Sequence, residues 1–261
     1  MSCALNCSSC SKESYDIVPI ARVMQKLDEL FDKNDLRSVG VLLDYWERDA
    51  RNLHDERGLL EILNEQIGYF RRMEDKGRAL KAVREAFALI SKLELDKNES
   101  SGTVYLNGAT TMKAFGETEA AMEYYFKAKD IYDRVLPPYD YKLATYYNNV
   151  SSAYKELGNV EESEKCCYKA IEILEMSGKY QGEIAVTHVN LAHLYYDADN
   201  FDERVYEHME HAWKLLSSDE NDHDGNFAFL CSKCYPSFGY FGYFDYEKRL
   251  KALVEKIYEG N

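Results

Sequence analysis

The chain has 261 residues, 46% hydrophobic and 13% aromatic, which is enough for one large or two ordinary domains and excludes a wholly disordered chain. Its net charge of −14 disfavours a general nucleic-acid binder, which needs a basic excess to displace counterions from phosphates. Only 4 Pro and 14 Gly argue for helices over turn-rich β structure, and no stretch nears the ~20 apolar residues that span a bilayer.

Residues 1–16 open with MSCALNCSSCSK, which lacks helical periodicity and is expected to be a flexible Cys/Ser-rich tail with no secretory signal. The rest, 17–261, repeats itself. Segments 106–116 (LNGATTMKAFG), 148–158 (NNVSSAYKELG) and 189–199 (VNLAHLYYDAD) place Asn107, Asn149 and Asn190 in register, 42 and 41 residues apart. The stretches that follow also align, bringing Ala128 and Ala170 to one position with Ala212 close by. Fainter copies occur upstream, at 74–90 and 32–46, and downstream at 231–241. The chain therefore reads as about six helical hairpins, 17–53, 54–96, 97–139, 140–180, 181–220 and 221–261. Within 118–131 the stripe Ala121, Met122, Tyr125, Ala128, Ile131 has helical spacing. Gly116 and Gly158 suit the reversals because glycine takes positive φ without steric cost. Pro137-Pro138 separates two repeats, and DKNESSG (96–102) is expected to be a loop in which Ser100 or Ser101 caps the next helix.

The order of residues around these turns resembles the tetratricopeptide repeat family. Tyr154, Gly158, Val160, Ser163, Cys167 and Ala170 carry the resemblance, as do Gly116, Thr118, Ala121, Tyr125 and Ala128. The period of about 41–42 exceeds the usual 34 and is similar to that of kinesin light chain and the bacterial peptide sensors. The resemblance implies an all-α, right-handed superhelical solenoid whose first helices line a concave groove, and a protein-interaction adaptor that binds a peptide or an extended partner segment.

The tail offers the one constellation with cofactor chemistry. Cys3, Cys7 and Cys10 have the C-x3-C-x2-C spacing that radical S-adenosylmethionine enzymes use for a [4Fe–4S] cluster, but no strand–helix alternation follows to build the surrounding barrel. An accessory role in a metalloenzyme or iron–sulfur system is the alternative reading, and a solvated tail is the plainer one. Cys231-x2-Cys234 aligns with packing positions and reads as core; a joint site with the tail is not expected, because a solenoid keeps its ends apart. His208 and His211 lie three apart on one helix, but His208 aligns with Tyr125 and Cys167, which points to core packing. No nucleophile elbow or phosphate loop occurs, so neither an enzyme nor a bound cofactor is expected. Seven cysteines is an odd number, and four of them sit in the body of the chain among helix-forming residues, which suits a reducing cytoplasm better than a disulfide framework.

The Asn series is the functional lead. A carboxamide matches both the C=O and the N–H of an extended peptide, so one per repeat holds a backbone without reading its sequence. Tying neighbouring helices together is the competing role. Asn107, Asn149 and Asn190, with Asn148 and the neighbours Thr103, Thr110, Lys113, Thr145, Ser152, Lys155, His193 and Tyr196, form the expected peptide-binding set. Lys113 and Lys155, at one repeat position, are expected to make a locally basic patch for an acidic side chain or a terminal carboxylate. The partner is thus a protein or peptide, with no nucleic acid or membrane. The aromatic-rich 236–244 in the last hairpin is the expected surface for a homodimer.

Overall fold

A computed structural model describes residues 16–178, 180–199 and 202–260, so the tail cysteines Cys3, Cys7 and Cys10 lie outside the described residues. The elements are α1 (Ile20–Asp32), α2 (Leu36–Leu53), α3 (Glu56–Arg72), α4 (Lys76–Lys92), α5 (Glu99–Ala114), α6 (Thr118–Val135), α7 (Tyr141–Glu156), α8 (Val160–Ser177), α9 (Gln181–Ala198), α10 (Arg204–Leu216), α11 (Gly225–Tyr240) and α12 (Phe244–Gly260). No strand occurs among the described residues, and none of their helices is long and apolar enough to cross a membrane.

Each helix starts and stops for a local reason. Asp35, Asp55 and Asp75 cap α2, α3 and α4 by accepting from the backbone N–H three residues on, and Asn159 and Asp224 do the same for α8 and α11. The cap of α5 differs from expectation. Asn98 occupies the cap position, so Ser100 and Ser101 fall inside the first turn and Ser101 is buried there. Gly116 and Gly158 turn the chain at φ +84° and +75°. Asn34 and Glu74 fill the corresponding turns of the first two hairpins, also at positive φ. Asparagine tolerates that conformation, whereas glutamate bears a steric cost of about 1–2 kcal/mol.

The two helices of each hairpin pack antiparallel, and successive hairpins stack into a solenoid. Small buried residues set the close approach: Ala121, Ala128, Ala144, Ala170, Ala185 and Ala212 are all fully buried. The odd-numbered helices also form a continuous row, α3 on α5, α5 on α7, α7 on α9 and α9 on α11, with no comparable row among the even-numbered ones. The odd helices are therefore on the tightly curved inner side.

The ends of this solenoid are not apart, contrary to the expectation above: α1 packs on α11. Gly225 makes that contact possible, since a Cβ there would lie 2.6 Å from the Asp32 Cα and 2.8 Å from its carbonyl oxygen. Arg72 bridges the join. It donates to Asn34 Oδ1 at 2.7 Å, stacks 5.0 Å above the Phe229 ring and lies beside Tyr258 at the cavity. The inner face is thereby drawn around a central hollow.

Candidate functional site

At that join the inner row encloses a cavity of about 570 Å³ between α1, α3, α11 and the end of α12. Its lining carries three carboxylates, Asp28 and Asp32 of α1 and Glu65 of α3, and three cations, Arg71 and Arg72 of α3 and Lys233 of α11. Gly68 of α3 also lines it, and no neighbouring side chain or other helix comes within 4 Å of where its side chain would start. Among the described residues, none of the three cations has a carboxylate at ion-pair distance, although the chain as a whole carries −14.

Each cation is held from a different side. Arg71 reaches from α3 to α5, where it donates to the Asn107 carbonyl at 3.4 Å and to Thr111 Oγ1 at 3.1 Å. Lys233 sits 4.2 Å above the Phe229 ring, opens on the cavity and keeps an exposed side chain. Loss of water pushes its ammonium below the usual lysine range, and the Arg71 charge adds to that; Glu183 works in the opposite direction. Burial likewise lowers the Arg71 guanidinium. Burial raises the Glu65 carboxyl, with Asp28 adding to it, and raises Asp28, with Asp32 adding to it. Like charges thus act on one another within each set, Asp28 on Glu65 and Asp32 on Asp28 among the carboxylates, Arg71 and Arg72 on Lys233 among the cations.

The Asn series runs along this face, all three members half-buried, but they do different things. Asn107 donates to Asn64 Oδ1 at 2.9 Å, tying α5 to α3. Asn64 is therefore an earlier member of the series, 43 residues before Asn107. Asn149 turns back on its own helix and donates to the Thr145 carbonyl at 2.8 Å, so its acceptor oxygen stays available. Asn190 makes no side-chain hydrogen bond among the described residues. Asn148 accepts from Thr187 Oγ1 at 2.9 Å, linking α7 to α9.

Several of their expected companions are engaged in holding the stack. Thr103 meets the Tyr132 hydroxyl at 3.1 Å, and Thr110 accepts from the Tyr125 hydroxyl at 3.2 Å, both within one hairpin. Thr145 donates to the Tyr141 carbonyl. His193 meets Ser237 Oγ at 2.8 Å, and Tyr196 packs edge-on to Tyr240 and Phe241.

The basic patch expected at Lys113 and Lys155 does not form. Lys113 donates to Ser152 Oγ at 2.9 Å and pairs with Glu156 at 3.1 Å, while Lys155 pairs with Asp197 at 2.8 Å. In both cases a carboxylate about one repeat downstream neutralises the lysine. Among the described residues, Arg71, Arg72 and Lys233 are cations of the cavity without a carboxylate at ion-pair distance. Sequence spacing did not reveal them, because they belong to the faint second and sixth hairpins and meet only when the ends close.

Cys231 and Cys234 are fully buried in α11, and burial pushes the Cys231 thiol up to about 12 and Cys234 higher still, so both act as core. His208 is buried as its alignment implies, but beside His188 of α9 and His211, a grouping that sequence did not indicate.

Residues 142–203 match the family model described as tetratricopeptide repeat. No curated protein matches the chain. Among solved structures, BtubC (BKLC) from P. vanneervenii is similar at 20% identity and TM-score 0.56, over 88% of this chain and 91% of that one. A kinesin light chain of Podosopora anserina with nearly identical TPR-like repeats is 14% identical, with TM-score 0.54, over 76% and 94%. A Rap protein complexed with competence and sporulation factor is 14% identical, with TM-score 0.62, over 97% and 79%. At these identities the likeness is one of fold: the chain is an all-α tetratricopeptide-type solenoid of six hairpins.

Proposed function

We propose that this chain is a non-catalytic interaction scaffold whose inner face holds an extended peptide or partner segment, with an acidic group of the ligand seated between Arg71, Arg72 and Lys233. The observation that carries this reading is the charge arrangement of the cavity. Three cations lacking carboxylate partners, gathered around one cavity of an acidic protein, attract an incoming carboxylate more than an isolated surface lysine does, because their fields add. Asp28 and Glu65 of the same lining suit an amino or amide group of the same ligand. Along the rest of the face, the free oxygen of Asn149 and the amide of Asn190 offer backbone partners, while Asn107 acts with Asn64 as a tie.

The solved Rap complex, which holds competence and sporulation factor on a solenoid of this kind, supports a binding role. The four cysteines of the described helices, Cys166, Cys167, Cys231 and Cys234, are free thiols, which fits the reducing cytoplasm in which we place the protein. A homodimer through the last hairpin is a companion proposal supported by the exposed Tyr240 and Phe244; sedimentation equilibrium tests it, with Phe244→Glu expected to shift a dimer to monomer.

The test is selection from a displayed library of random dodecapeptides. Binders to the wild-type chain are expected to be enriched in Asp and Glu, and to lose at least tenfold in affinity against Lys233→Ala. Lys233 makes no hydrogen bond among the described residues, so this variant keeps the fold.

A further inference from the structure

Three of the six histidines meet at one place between α9 and α10 of the fifth hairpin, outside the cavity described above. His188 comes from α9, and His208 and His211 from α10, where i,i+3 spacing puts both on one face. One potential ligand atom from each lies within 4.8 Å of the other two. The His188 and His208 Nδ1 atoms are 2.8 Å apart. Two neutral rings satisfy that contact only if one adopts the Nδ1–H tautomer and points its proton at the other's lone pair. A cation between them instead takes both lone pairs.

Register makes the grouping unusual for this chain. The positions equivalent to His188 in the two preceding repeats are Tyr105 and Tyr147, 42 and 41 residues apart in turn. Those tyrosines are met by lysine ammonium groups, Lys127 at 5.7 Å and Lys129 at 5.6 Å. In the fifth hairpin the aromatic–ammonium pairing is replaced by imidazoles on both helices. His208 is stacked on Tyr195 at 5.4 Å and so fixed in place. His211 is exposed and free to swing inward. All three line a cavity of about 870 Å³ between α8, α9 and α10, so the site has an entry path.

We propose that His188, His208 and His211 bind a divalent transition metal of the zinc class, with a fourth coordination position open to this cavity. Imidazole nitrogen suits zinc, nickel and copper, and three histidines plus an open position is a stable arrangement for zinc. Zinc–nitrogen bonds of ~2.0–2.1 Å place tetrahedral ligand atoms about 3.3 Å apart, so closing the site needs shifts of roughly half an ångström at His188 and His208 and a rotation of His211. Around His208, the Arg204 charge is offset by Asp202, which pairs with it at 2.6 Å, and by Glu164. The open position gives this second cavity a place for a carboxylate or imidazole of a bound partner.

The experiment uses the full chain carrying Cys3→Ser, Cys7→Ser and Cys10→Ser, so that tail thiolates cannot compete. Titration with Zn²⁺ against a chromophoric chelator is expected to show one tight equivalent. His211→Ala, at an exposed position, is expected to weaken it at least tenfold without moving the melting temperature of the metal-free protein, and His188→Gln to do the same. Co²⁺ in place of Zn²⁺ is expected to give visible d–d bands without a thiolate charge-transfer band. Absence of a bound equivalent, equal affinity in both histidine variants, or a thiolate band would each overturn the proposal.

Discussion

Asn107 and Asn149 occupy one repeat position and differ in what they touch, and that difference predicts different energetics. Asn107→Ala removes the bond to Asn64 and leaves a half-buried amide oxygen without its donor, so stability is expected to fall by about 1 kcal/mol in urea denaturation. Asn149→Ala removes only a bond to its own helix, and the change is expected to stay within about 0.5 kcal/mol. Equal losses would mean that both amides tie the stack and would leave peptide contact to the cationic cavity. The series itself was legible in the sequence from three in-register positions. Asn64 was not, because the second hairpin lacks the turn glycine that anchors the alignment and has Glu74 there instead. Lys113 and Lys155 were legible as a repeat but not as paired charges, since Glu156 and Asp197 answer them across the repeat boundary.

At the scale of elements, the hairpins were most legible where local chemistry is explicit. Gly116 and Gly158 mark turns whose positive φ requires them or a tolerant residue, and small residues recur where helices cross. Where Asn34 and Glu74 adopt the same backbone, the steric signal vanishes from the sequence although the geometry persists. The crossing of α5 and α6 depends on Ala128, which has no exposed surface. Ala128→Leu adds three carbons to a contact already closed and is expected to destabilise by about 1–3 kcal/mol, read as a lower denaturation midpoint with an unchanged slope. Wild-type stability in this variant would show that the helices have room at that crossing.

On the scale of the whole molecule, curvature decides which residues can act together. Arg71 and Arg72 in the second hairpin and Lys233 in the sixth are separated by some 160 residues of chain, and only closure of the solenoid places them around one cavity. No repeat period announces such a contact, because it is made once and between unlike elements. Gly225 is its most sensitive point. Gly225→Ala drives a methyl into the Asp32 backbone, so α11 is expected to lift from α1, raising the radius of gyration in solution scattering and lowering stability by about 1–3 kcal/mol. An unchanged radius with unchanged stability would mean that the two end hairpins adjust without parting.

The central claim is that Arg71, Arg72 and Lys233 in this cavity select an acidic peptide group, and charge reversal tests it most directly. Peptides selected on the wild-type chain should bind Lys233→Glu at least tenfold more weakly in fluorescence anisotropy, with the melting temperature unchanged, and the loss should shrink as salt rises. Equal affinity for the two proteins, or selected peptides with no acidic residue in common, would contradict the account.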